Sequence, residues 1–294
     1  METSQLTGAG WIIFLVSLLM AAVAFGYVLM SPSEARVAAW ASHYGLTLTE
    51  TNQSVVTAYL RKTRLLQLVG TTLGWAASPL YIGLLGRPFP LGDSWVTLAV
   101  GGYLVGTVAA EVTYLSRRRA RASVRTAALS PRTPSKYVPA ATIWAIRLLP
   151  IAMVILAAFY AVIPKDPQRG VDPSILFLAT AAIVVVAFAM VIDRLLWAVV
   201  ARPQQATTED LLAADDAVRA SSIHALSAAG LALILLSIGW ALFSVGTVTS
   251  IAQVSQVLPW CGVMCDVTAL VVWIWVGHLT TWRVRRDTSL VAGK

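Results

Sequence analysis

The chain has 294 residues, of which 57% are hydrophobic and only 12% charged, roughly half the ~25% charge of a typical soluble domain. No water-soluble fold needs that much apolar surface. Its 22 Lys and Arg against 14 Asp and Glu give a net charge of +8, but the cations flank apolar segments, which argues against nucleic acid and for membrane topology. Two cysteines are too few for a disulfide framework in a protein of this size.

A helix needs about 20 apolar residues to cross a ~30 Å hydrocarbon core, because backbone groups in lipid must bond within their own segment. Stretches of that kind lie at about 10–30, 65–86, 95–116, 140–163, 174–200, 223–248 and 259–282. The expected fold is therefore all-α: one integral membrane domain over 1–294, a polytopic bundle of seven transmembrane helices in the cell membrane.

Lys and Arg are retained in the cytoplasm, so they set orientation. The connection after the third span holds Arg117, Arg118, Arg119, Arg121, Arg125, Arg132 and Lys136 and is placed inside. Alternation puts the segments around Arg61, Lys62 and Arg64, around Arg202 and Arg219, and the tail with Arg283, Arg285 and Arg286 inside as well. The N-terminus is expected outside and the C-terminus inside. No Lys or Arg precedes the first span, so it reads as an uncleaved anchor and not as a signal peptide. Trp11, Trp95 and Trp260 fall at the outer interface and Trp144, Trp197 and Trp282 toward the inner one, the levels indole rings favour.

The inner connections before the second and sixth spans share a Thr-Glu start followed by about three helical turns, with Arg61 and Arg219 at matched positions. The third and seventh spans end alike, in EVTYLSRRR and HLTTWRVRR. Two parallel halves joined by the fourth span would give a 3+1+3 repeat. That plan resembles the architecture of SWEET-type sugar transporters. The Pro-Gln pairs of this chain, Pro167-Gln168 and Pro203-Gln204, lie in connections and not inside the first and fifth spans, so no site residue carries over from that family. The seventh span has no lysine for a retinal Schiff base.

Charged residues within spans are costly, at ~2.5–3.5 kcal/mol each on insertion scales, and usually face a bundle interior. Glu111, Arg147, Asp193, Arg194 and His278 all fall about 7–12 Å in from the inner ends of their spans, at ~1.5 Å per residue. They form the candidate binding or proton-relay layer. Pro150 removes the hydrogen bond its amide would give to Ile146 and is expected to kink the fourth span beside Arg147. The competing reading makes these charges interhelical ties, with Arg194 reaching the inner headgroups.

Asp266 stands alone toward the outer side of the seventh span, near Cys261 and Cys265, whose spacing suits neither a disulfide nor a metal. Gly70 with Gly74, and Gly102 with Gly106, are Gly-x-x-x-Gly pairs that place the second and third spans in contact. The acidic stretch with Glu209, Asp210, Asp215 and Asp216 reads as a surface helix, and 207–219 as a docking segment for a cytoplasmic protein.

No P-loop, Gly-x-Ser-x-Gly, His-Glu-x-x-His or paired aspartate motif occurs, so no catalytic residue, cofactor or metal site is expected. The chain reads as an uncharacterised transporter-like membrane protein, with a solute or proton site in the cytoplasmic half of the bundle. The alternative is a non-catalytic subunit that anchors or regulates a membrane complex.

Overall fold

Lipid offers a backbone no hydrogen-bond partner, and the chain is built of helices accordingly. The computed structural model describes residues 32–85, 95–119, 133–166, 175–202 and 208–279, with side chains at 32–77, 98–116, 133–166, 175–202 and 208–277. The helices among them are α1 (Glu34–His43), α2 (Glu50–Leu85), α3 (Trp95–Arg119), α4 (Ala140–Val162), α5 (Ile175–Val200), α6 (Glu209–Val248) and α7 (Ala252–Ile274). A 3-10 turn at Pro134–Lys136 precedes α4, and a π turn at Trp275–Leu279 follows α7. Among the described residues there is no strand, only an isolated bridge between Lys165 and Thr249.

Among the described residues, five stretches are long and apolar enough to cross a membrane: Leu98–Ser116, Ala140–Val162, Ile175–Val200, Glu209–Val248 and Ala252–Gly277. The described residues are thus all-helical apart from turns and connections, and their long apolar helices are those of a membrane protein by length and composition. The expected first span, 10–30, lies outside the described residues, and the second, 65–86, lies partly outside. The proposed repeat falls with them, since its first half needs residues 10–30.

Three elements differ from expectation. Helix α1 was not expected; it ends in a Schellman turn, in which Gly45 N–H bonds to the Ser42 carbonyl at 3.1 Å and Leu46 N–H to Ala41 at 2.8 Å. Gly45 is left-handed there, with φ +65°, which a residue with a Cβ adopts only at a cost. The sixth span is only the later part of α6, one unbroken helix from Glu209. Helix α7 starts at Ala252, seven residues before the expected start at Pro259, and the proline ring packs on Gly246 of α6.

Helix starts are tied locally. At the entry to α2, Asn52 Oδ1 accepts from Thr49 N–H at 2.9 Å while Asn52 Nδ2 donates to the Thr47 carbonyl at 2.9 Å, a reach-back of the capping-box kind. At α6 the Thr208 side chain makes no cap bond, contrary to the expected Thr cap; Glu209 and Asp210 in the first turn meet the positive helix end instead.

Helix α6 is the axis of the bundle. It packs against α2, α3, α4, α5 and α7, and residues 217–224 and 226–232 are buried without a break. Small residues make this feasible: between 213 and 232 the side chains are mostly Ala, Ser or Gly. At the end expected to lie outside, the α4–α5 and α6–α7 connections are clipped together. Asp166 N–H bonds to the Val248 carbonyl at 2.9 Å and Ser250 N–H to Pro164 at 3.1 Å. The α2 and α3 helices cross through their glycines, as the two Gly-x-x-x-Gly pairs foretold: Gly70 and Gly74 lie against Gly102, and Gly106 against Leu66.

Candidate functional site at the inner end of the bundle

Helix α6 enters the bundle from the end expected to be cytoplasmic, and its first turns meet α1, the start of α2, and the inner ends of α3 and α5. Apolar packing cannot satisfy the side chains gathered there, so they bond to one another. Glu111 of α3 is completely buried, and the Tyr59 hydroxyl of α2 donates to its Oε1 at 2.7 Å. That phenol also lies 3.3 Å from Ser221 Oγ, which receives the Trp40 indole N–H of α1 at 3.3 Å. The Tyr59 ring stands edge-on to Tyr114 at 5.3 Å.

The second carboxylate oxygen, Glu111 Oε2, has no hydrogen-bond partner. Ser222 lies beside the carboxyl within side-chain hydrogen-bonding reach, but not in a hydrogen bond of standard geometry, and Ser222 Oγ has no other partner. Arg202 and Lys62 are the cations whose fields reach Glu111. Arg202 lies 5.3 Å over the Tyr114 ring, with its Nε and Nη1 unsatisfied although buried. An acceptor, a hydroxyl and two N–H donors are therefore left open in one small region, a pattern suited to a proton, a water or a small polar guest.

Beside this opening lies a closed lock. Arg202 Nη2 donates to Asp215 Oδ1 at 2.8 Å, and Arg219 Nη2 to Asp215 Oδ2 at 3.0 Å. Arg219 also donates to the carbonyls of Val200 at 3.1 Å and Arg202 at 3.0 Å, and so caps the C-terminal end of α5 where free carbonyls concentrate. All three side chains are at most 3% exposed. A further tie joins α6 to the turn before α4: His224 Nε2–H donates to the Tyr137 carbonyl at 2.8 Å, which fixes the tautomer and leaves Nδ1 an acceptor without a partner. Tyr44, in the turn after α1, packs 5.9 Å from His224, and burial pushes its phenol up to about 12.

The expected polar layer divides. Arg147 and Asp193 form an ion pair through Arg147 Nε at 2.9 Å and Nη2 at 2.8 Å, but the pair sits on the outer face of α4 and α5, 38% and 22% exposed. Nothing bonds it to Glu111 among the described residues. Arg194 is exposed on the same helix. Ile146 and Pro150 face inward while Arg147 faces out, so the carbonyl freed at Ile146 does not lie beside a buried cation. The backbone of His278 lies in the π turn, and its side chain is outside those described.

Asp215 was read as part of a surface helix, and this is corrected: Asp215 and, one turn on, Arg219 both point into the bundle, leaving Glu209 and Asp210 as the exposed acids of that stretch. Their i, i+4 spacing among alanines was the available signal. Asp266 is half-buried against Gly239 with Oδ1 unbonded, and Cys261 and Cys265 are free thiols. No group of three metal-binding side chains gathers among the described residues. A cavity of about 420 Å³ lies toward the other end, lined by Gly74, Gly102, Val105, Met153, Phe177 and Trp240 among others. Its lining is apolar, and the Ser237 hydroxyl in its wall is bonded to the Leu233 carbonyl at 2.8 Å.

Tyr59→Phe leaves both Glu111 oxygens without a partner. It is expected to lower stability in detergent by about 1–3 kcal/mol, the cost of an unsatisfied buried group, as read by chemical denaturation.

No protein-family model, curated protein or solved structure matches this chain.

Proposed function

We propose that the chain is a transporter-like protein of the cell membrane, N-terminus outside and C-terminus inside, with Glu111 as its exchange group for a proton or small polar solute. The observation that carries this reading is the half-satisfied carboxyl: Glu111 is fully buried, one oxygen held by Tyr59 and the other open beside Ser222. A purely structural tie would engage both oxygens, since each open polar atom in such a place is costly. Protonated, Glu111 can donate from Oε2 toward Ser222; ionised, it balances the net positive charge of the Arg202–Asp215–Arg219 lock. Both forms have support, as a group that cycles between them requires.

Infrared difference spectroscopy across a pH titration of the purified protein tests this. The wild type is expected to show a carboxylic acid band that is absent in Glu111→Gln, while the variant stays folded in detergent. If the two difference spectra coincide, or the substitution only lowers thermal stability, the reading fails.

The second reading, a non-catalytic subunit of a membrane complex, is favoured by the lock itself, which fixes the end of α5 to α6 by direct pairs. In that reading the chain co-purifies with stoichiometric partners from native membranes, and Glu111→Gln leaves that assembly intact.

A further inference from the structure

The Arg147–Asp193 pair and Arg194 have no place in the inner-end site. They lie on the outer surface of α4 and α5, about 9–10 Å from the inner ends of those helices at ~1.5 Å per residue. Such a depth lies below the headgroups but within reach of a long arginine side chain. Around α5, at about 100° per residue, Trp197 falls between Asp193 and Arg194 and one turn nearer the inner end. On α4, Trp144 holds the matching place, with its ring 5.6 Å from the Arg147 guanidinium. Both tryptophans are exposed, at 57% and 44%, as indoles at headgroup level are.

The chemistry of the patch is specific. Asp193 receives the Nε and Nη2 of Arg147, and the Nη1 edge of that guanidinium takes no part in the pair. Side chains of a helix tilt toward its N-terminus, and for α4 that is the inner end, so the free edge faces the headgroup region. Arg194 makes no ion pair or hydrogen bond among the described residues, and the three charges sum to +1.

We infer that this face binds the phosphate headgroup of one anionic phospholipid from the leaflet at the inner end, held by Arg194 and the free edge of Arg147 between Trp144 and Trp197. Asp193 then serves to orient Arg147 and to keep the patch from attracting more than one anion. The acyl chains lie along Leu148, Ile151, Met190 and Val191, which are all at least half exposed. The phosphate comes from lipid and not from a soluble anion, because the approach is across a face apolar everywhere else.

Native mass spectrometry of the full chain in detergent, titrated with phosphatidylglycerol or phosphatidylcholine, tests the assignment. The variants are Arg194→Gln, the charge-neutral double Arg147→Gln/Asp193→Asn, and the triple combining them. The triple is expected to bind its tightest phosphatidylglycerol about tenfold more weakly, with the two component variants intermediate and phosphatidylcholine binding unchanged. Replacing Arg117, Arg118 and Arg119 by Gln is expected to leave that tightest binding as it was. An unaltered phosphatidylglycerol affinity in the triple variant overturns the proposal. So does displacement of the lipid by glycerol phosphate at equal concentration, which would mark a soluble-anion site. A dimer that the triple variant dissociates also overturns it, by showing a second copy on this face.

Discussion

Asp215→Ala is expected to destabilise the protein by about 3–5 kcal/mol, the magnitude found when one partner is removed from a buried ion pair. The carboxylate serves two guanidinium groups at once, Arg202 at 2.8 Å and Arg219 at 3.0 Å, and neither can reach water from its position. Without Asp215 two like charges face each other in a dry interior, and Arg202, which already has two unsatisfied nitrogens, loses its only ion-pair partner among the described residues. Replacing all three members by apolar residues, as Arg202→Met/Asp215→Leu/Arg219→Met, removes the charge problem and is expected to recover most of the loss. Recovery should stop about 1–2 kcal/mol short of wild type, because the carbonyls of Val200 and Arg202 lose the donor that caps α5. Chemical denaturation in one detergent orders the three proteins. If the triple variant falls below Asp215→Ala, charge pairing is not what the lock contributes, and capping dominates.

The apolar spans and the glycine crossing of α2 and α3 were legible because each depends on local pattern: length, hydropathy and four-residue spacing. The site was legible only in part. Glu111 was found because a lone acid in an apolar run has to be accounted for. Its partner Tyr59, and Ser221 beyond it, were not, since a tyrosine and a serine near a membrane boundary look ordinary until the fold sets the Tyr59 hydroxyl 2.7 Å from Glu111 and 3.3 Å from Ser221, across three helices. The lock was missed for a related reason. Hydropathy marks where a helix can enter lipid, not where it becomes buried in protein, and α6 is enclosed by its neighbours at least two turns before its apolar part begins. The shared depth of Arg147, Asp193 and Glu111 was read along the helix axes, but depth says nothing about direction around them. Arg147 and Asp193 turn outward while Glu111 turns in, so one layer by height is two surfaces by angle.

Gly102→Ala is expected to be severe, although it adds a single methyl group, while Gly101→Ala next to it is expected to be neutral or to stabilise by about 0.5–1 kcal/mol through helix propensity. A Cβ at Gly102 would collide with the Gly70 carbonyl oxygen and lie 3.0 Å from the Gly74 Cα. A Cβ at Gly101 meets nothing within 4 Å. The obstacle is backbone on both sides, so no rotamer change relieves it. The helices must part by more than an ångström along a seam that also includes Gly106 on Leu66 and Gly74 on Leu98, and in lipid it is packing of this closeness that holds helices together. Loss of the seam releases α2, and with it the Tyr59 donor to Glu111 and the Gln67 side-chain amide that bonds Thr107 at 3.1 Å. A destabilisation of about 3 kcal/mol or more is expected, at or above the upper end for overpacking by a small group. Thermal unfolding of the two single variants side by side reads the contrast, and equal melting temperatures would mean that α2 and α3 do not cross at these glycines.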